Sequence, residues 1–144
     1  MKTLNLIILL LFPIFFSCQS EQKEKEKHIT LLVNEWQGKE IKFPENPIFT
    51  RYLTDTTDFQ ISQSEYKVLV YIDSTGCTSC KLQLHKWKEF IKYTDSVTQE
   101  KVPFLFFFHS KDYKEIRYLL KRDGFDHPVC IDLEDKLNKL NKVP

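Results

Sequence analysis

Two runs of consecutive apolar residues, Val68-Leu69-Val70-Tyr71-Ile72 and Phe104-Leu105-Phe106-Phe107-Phe108, stand out from the polar-apolar alternation around them. Each is too short for a helix and rich in β-branched or aromatic side chains, so each predicts a strand covered on both faces. Pro103 precedes the second run, where a missing N–H is tolerated. A third, shorter strand is predicted over His127-Pro128-Val129-Cys130-Ile131-Asp132. Between the strands the period changes. Cys80, Leu84, Trp87 and Ile91 fall at helical spacing and share one apolar face. Thr94 to Lys101 reads as a polar linker. Tyr113, Ile116 and Leu120 mark a second helix, capped by Ser110 and closed at Asp123-Gly124. Leu133, Leu137 and Leu140 mark a third, over Leu133 to Lys142. Strand and helix alternating three times predict an α/β fold with a central, mainly parallel sheet flanked by helices.

Upstream the pattern is weaker. Ile29, Leu32, Val33 and Trp36 predict a short amphipathic helix stopped near Gly38. Lys39 to Phe43 alternates and reads as a strand ended by Pro44. Ile48 to Ile61 reads as a loop between short edge strands, and Gln19 to His28 as a solvated tether. Before it, Met1-Lys2 and the apolar Leu4 to Phe16 form a stretch too short to span a bilayer comfortably. It ends at Phe15-Phe16-Ser17-Cys18, which resembles a bacterial lipobox with Cys18 as the lipid-attachment residue. An ordinary signal peptide or an uncleaved anchor is the alternative. The chain thus divides into a lipoprotein signal peptide (1–17), a charged tether (18–28), an N-terminal extension (29–66) and a core (67–144).

The length of 144 residues suits one domain with a modest core, and twelve Phe against three Gly imply dense packing with few tight turns. Net charge is +1, which offers no electrostatic case for a nucleic-acid partner. Four cysteines (18, 77, 80 and 130) are too few for a disulfide-stapled scaffold. Cys130, between Val129 and Ile131, reads as a small apolar filler.

Cys77-Thr78-Ser79-Cys80 follows the first strand after Asp73-Ser74-Thr75-Gly76 and opens the first helix. A cysteine at a helix N-terminus meets unpaired N–H groups and the positive end of the helix dipole, both of which stabilise a thiolate. A second cysteine three residues on is placed to resolve a mixed disulfide. A static disulfide, a metal site and an inactive binding scaffold are the competing readings. Tetrahedral zinc needs two more ligands, and His85, His109, His127 and Cys130 offer no second paired motif. His109, ending the second strand, and Asp73, ending the first, are the other polar residues at the sheet's carboxyl end.

From Lys67 to Pro144 the chain resembles the thioredoxin superfamily, in its envelope-attached thiol–disulfide branch. Gly76 stands where that family usually has Trp, and Thr78-Ser79 where it commonly has Gly-Pro or Pro-Pro. The resemblance implies a thioredoxin-like fold in which Cys77 attacks and Cys80 resolves. It also implies a protein lipid-anchored to the inner or outer membrane, facing the periplasm or exterior, whose partners are exported protein thiols or disulfides. Neither metal nor other cofactor is implied. A non-enzymatic envelope lipoprotein using the same scaffold for binding is the alternative. A peroxidase is disfavoured, because the proline-containing approach to a single peroxidatic cysteine is missing. Phe125 to Pro144 resembles the strand-plus-helix insertion of the envelope enzymes. In that family a cis-proline, a hairpin and a last helix follow, and Val143-Pro144 corresponds to the approach to that proline. The core is therefore expected to be incomplete at its C-terminal end. One sheet edge and one face would lie bare unless Ile29 to Ile61 covers them.

Overall fold

The computed structural model describes residues 14–61, 64–75 and 77–143, over 14–20 for the backbone alone. It falls into two compact units divided between Ile41 and Lys42. In the first, a single helix, α1 (Ile14–Trp36), replaces the expected tether and short helix. The stretch Glu21 to His28 is made of good helix formers, with Glu21 and Lys25 spaced i, i+4, so nothing in it opposes helix propagation. Ile29 and Val33, assigned by their spacing to a packed stripe, are exposed. Beyond the helix, Lys39 pairs with Glu35 at 3.0 Å and lies over the Trp36 ring. Cys18 sits within α1 by its backbone, and residues 1–13 of the expected signal peptide lie outside the described residues. No described helix is long and apolar enough to cross a membrane.

The second unit is a mixed α/β structure built on a five-stranded sheet. Its strands are β1 (Phe49–Arg51), β2 (Asp55–Thr56), β3 (Val68–Ile72), β4 (Phe104–Phe108) and β5 (Val129–Ile131), in the spatial order β2-β1-β5-β4-β3. β3, β4 and β5 are parallel, with Val68 opposite Phe104, Ile72 opposite Phe108 and Phe106 opposite Val129. β1 runs antiparallel to β5, with Phe49 opposite Cys130, and β2 antiparallel to β1. The helices are α2 (Thr78–Leu82), α3 (Leu84–Val97), α4 (Tyr113–Arg122) and α5 (Lys136–Asn141).

β4 is the centre, and all five of its residues are buried. Because side chains alternate across a strand, its apolar run feeds two layers. Phe104, Phe106 and Phe108 pack with Ile72, Leu84, Ile91, Ile116, Leu120 and Phe125. Leu105 and Phe107 pack on the opposite face with Phe49, Cys130 and Leu137, backed by Phe43, Phe59 and Ile61. The extension therefore covers the second face, and β1 occupies the outer edge of β5. β3 forms the other end of the sheet, with no strand beside it among the described residues.

Four local readings are corrected. The strand expected at Lys39–Phe43 is absent, because Asn141 takes its place as partner: its Oδ1 accepts from Lys42 N and its Nδ2 donates to Lys42 O, both at 2.8 Å. Asp112, rather than Ser110, caps α4, accepting from Lys114 N and Glu115 N. Ser110 instead accepts from Asp112 N. α5 starts at Lys136 because the buried Asp132 carboxylate receives the Lys136 and Leu137 amides at 2.8 Å each, leaving Leu133 exposed. α3 continues to Val97, one turn into the expected linker. Gly124, with φ +55°, closes α4 as its position implied.

Candidate functional site

The site grows from the end of β3. After Ile72 the chain turns through Asp73 to Gly76, the last of these outside the described residues, and reaches Cys77 in an extended conformation. Cys77 is the N-cap of α2, and its Sγ accepts from the Cys80 amide at 3.3 Å. That amide is one of the four N–H groups a helix start leaves without an internal partner. In the disulfide the sulfur is thus held by a backbone donor. Cys77 and Cys80 are joined in a disulfide, with Cα atoms 5.3 Å apart. Ser79 Oγ lies 3.3 Å from Cys77 Sγ, so the residue directly before Cys80 also contacts the first sulfur.

Both cysteines are exposed. Spacing had put Cys80 on the buried stripe of Leu84, Trp87 and Ile91. Gln83 breaks that stripe: it adopts a left-handed conformation, φ 39°, ending α2 and starting α3 on a new axis. Leu82 becomes the buried residue of α2 and Cys80 faces out. α2 itself lies against α4.

Asp73 organises the turn. Its carboxylate accepts from Thr75 N and Thr75 Oγ1 and is ion-paired with Lys81, which also donates to Thr75 Oγ1 at 2.9 Å. The Lys81 hydrogen bond, then that of Thr75, holds the Asp73 carboxyl below the usual carboxylate range. Since Lys81 follows Cys80 directly, this pair straps the first turn of α2 to the end of β3. Both partners are well exposed, so the strap positions the turn more than it stabilises the fold.

The carboxyl ends of the parallel strands carry a second group of polar residues. His109 Nδ1 lies 2.8 Å from Asp132 O, and the Tyr71 hydroxyl donates to Asp135 Oδ1 at 2.5 Å. Burial, then the Asp135 carboxylate, pushes the Tyr71 hydroxyl well above the usual phenol range. For Asp135, burial works the other way, but Tyr71 and Asn138 hold its carboxyl down. Sequence reading left Tyr71 and Asp135 out. The available signal was a phenol inside an otherwise apolar strand, since a buried Tyr hydroxyl needs a partner. A raised phenol pKa stabilises the fold while Tyr is protonated in both states. That contribution is lost as pH rises past the unfolded value of about 10. Unfolding measured from pH 8 to 11 should show wild type losing stability above pH 10 more steeply than Tyr71→Phe. Parallel curves would mean that Tyr71 ionises as freely in the fold as outside it.

Cys130 is buried and free, and burial followed by the nearby Asp132 raises its thiol to about 11. Its thiol is therefore protonated at neutral pH, in keeping with a small apolar filler. His85 is exposed on α3 and His127 is half-buried near the start of β5, where burial lowers its pKa. Among the described residues no group of three or more His, Cys, Asp or Glu side chains is placed to hold a metal ion. Pro144, expected to approach a cis-proline, lies outside the described residues. What the site offers chemically is an exposed two-cysteine disulfide at a helix start, on the end of a parallel strand. No family model, curated protein or solved structure matches this chain.

Proposed function

We propose that this chain is a thioredoxin-like thiol–disulfide exchanger, lipid-anchored through Cys18 in a bacterial cell envelope and acting on exported proteins. The observation that carries the reading is Cys77, an exposed sulfur capping a helix directly after a parallel strand, with Cys80 three residues on. In the reducing direction the Cys77 thiolate attacks one sulfur of a client disulfide, forming a Cys77–client bond and releasing the other client sulfur as a thiolate. Cys80 Sγ, deprotonated, then attacks Cys77 Sγ. The Cys77–Cys80 bond forms, the second client thiolate leaves, and two electrons have passed to the client. The reverse sequence oxidises a client dithiol. Cys80's exposure leaves both steps free of any need to open the core.

Insulin reduction driven by dithiothreitol tests the exchange. Wild type should accelerate it, Cys77→Ser should fall to the uncatalysed rate, and Cys80→Ser should accumulate mixed disulfide. A wild type as inert as Cys77→Ser would remove the exchange reading in favour of a binding scaffold. The anchor is read in the same expression cultures: Cys18→Ala should move the protein from the membrane to the soluble fraction. A variant still membrane-bound would refute lipidation as the anchor.

A further inference from the structure

A cavity of about 390 Å³ opens at the amino ends of the parallel strands, where Pro103 and Pro128 lead into β4 and β5. The disulfide lies at the other end of the sheet, about 16 Å off along the five-residue β3. The volume falls at the lower end of the range for small-molecule sites, about 300–1,000 Å³. Phe59, Ile91, Val102, Phe104 and Pro128 give the cavity an apolar lining, and Arg51, Lys101, Asp95 and Asp126 stand around it. These charges balance, two of each sign, yet none neutralises another by contact. Among the described residues none of the four side chains forms a hydrogen bond or ion pair, although Arg51 stands opposite Asp55 in the register of β1 and β2.

Two of the four are also placed against local preference. Asp95 lies in the last turn of α3, which ends at Val97 and has no basic residue in that turn. The helix dipole disfavours an anion there. Ile91, one turn earlier at i−4, is buried in the core, so Asp95 shares its face of the helix and reaches the cavity. Arg51 ends β1 and opens a turn closed by Thr54 N donating to Arg51 O at 3.0 Å. The central residues of that turn, Tyr52 and Leu53, have φ of 52° and 55°, a conformation that Asn and Gly fill most readily. Both side chains pack against the layer of Phe104, Phe106 and Phe108, which holds the turn in this shape. Strained backbone of this kind gathers at ligand clamps, and here it fixes where Arg51 stands. Because Thr50 pairs with Val129, Arg51 comes from the β1–β5 side of the cavity and Asp95 from the α3 side, with apolar lining between.

That arrangement selects among ligands. A ligand of single charge would be drawn by two of the four groups and repelled by the other two. A wholly apolar one would leave all four without partners. A zwitterion with an apolar group suits both walls. Its carboxylate can meet the planar Arg51 guanidinium through two parallel hydrogen bonds, and its ammonium can meet Asp95 and the negative end of α3. His127, half-buried in the same lining with its pKa lowered by burial, is neutral at pH 7 and adds a donor and an acceptor without upsetting the balance.

We propose that this cavity binds a small zwitterion with an apolar group, the class to which the apolar α-amino acids belong, through Arg51 and Asp95. The assignment does not depend on the thiol–disulfide reading, since neither Cys77 nor Cys80 lines the cavity.

Calorimetric titration of the full chain in detergent at pH 7, with L-phenylalanine and L-leucine as probes, tests it. At least one should bind saturably with a Kd of about 1 mM or tighter. The acids lacking the ammonium (3-phenylpropionate, 4-methylpentanoate) and the amines lacking the carboxylate (2-phenylethylamine, 3-methylbutylamine) should bind about tenfold more weakly than their parent. Glycine, which has no apolar group, should be weaker by at least about tenfold. Arg51→Gln should weaken the amino acid about tenfold without weakening the amine, and Asp95→Asn should do the same without weakening the acid. Both residues are exposed, so both variants should melt as wild type does. If either substitution lowers the melt, the analogue series on wild type decides alone. Absence of saturable binding by both amino acids would overturn the proposal. An acid or amine that binds as tightly as its parent would overturn it too, as would binding indifferent to both substitutions in variants that melt normally.

Discussion

Replacing Phe106 with alanine should cost about 3–5 kcal/mol of stability, the range for truncating a fully buried Phe. Phe106 is wholly buried in the middle of β4. Its ring meets Phe125 at 5.0 Å and Trp87 at 5.8 Å, both edge-on, and Phe104 and Phe108 along the same strand. The hole left by alanine would be walled by aromatic rings on α3, on β4 itself and on the turn after α4. These elements are held in place by other contacts and cannot all collapse inward. With a whole domain stable by only about 5–15 kcal/mol, the variant should be marginal at room temperature, its midpoint lowered by more than about 10 °C. Phe90→Ala is the control. Phe90 is 43% exposed and touches Trp87 and Phe104 at the rim, so its loss should cost about 1 kcal/mol or less. Equal losses in urea titrations of the two variants would show that β4 is not the centre of the core.

The second large effect concerns the extension. A chain beginning at Ser64 should aggregate and bind a hydrophobic dye, whereas one beginning at Glu40 should melt as the full chain does. Phe49 packs edge-on against Phe59 at 4.8 Å and Phe107 at 5.5 Å, and Phe43 lies 6.1 Å from Phe107. Starting at Ser64 removes all three partner rings along with Ile61. Leu105, Phe107 and Leu137 are then bared on one face, and each large side chain returned to water forfeits roughly 1.5–3 kcal/mol. The same cut strips β1 from β5, exposing an unpaired strand edge next to that apolar face, which favours edge-to-edge association. Starting at Glu40 keeps the Lys42 amide and its bonds to Asn141 and removes α1, which belongs to the other compact unit. A soluble, cooperatively melting Ser64 chain would show that the second face does not need its cover.

Much of this architecture was legible in the chain alone. Val68–Ile72 and Phe104–Phe108 occupy the strands their apolar runs predicted, because a five-residue run with no polar position has nowhere stable to go except between two layers. The burial of Cys130, the left-handed Gly124 and the start of α2 at the C-x-x-C motif followed from equally local chemistry. Some local readings failed, and others failed because a distant partner decided them. Lys39 to Phe43 alternates like a strand, yet the Asn141 side chain, 99 residues from Lys42, supplies the hydrogen bonds that a neighbouring strand would have given. Cys80 keeps helical spacing with Leu84, but Gln83 turns left-handed and sends it to the surface, which no period count reveals. The extension was read only as a conditional cover for a bare face, since Phe43, Phe49, Phe59 and Ile61 acquire that role only when β4 shows them its second face. Local pattern determined the three parallel strands, the helices between them and where the Cys77–Cys80 pair lies along the chain. Tertiary packing alone decided which faces and edges those segments share, because hydrophobic burial is non-directional and will accept cover from any part of the chain that can reach it.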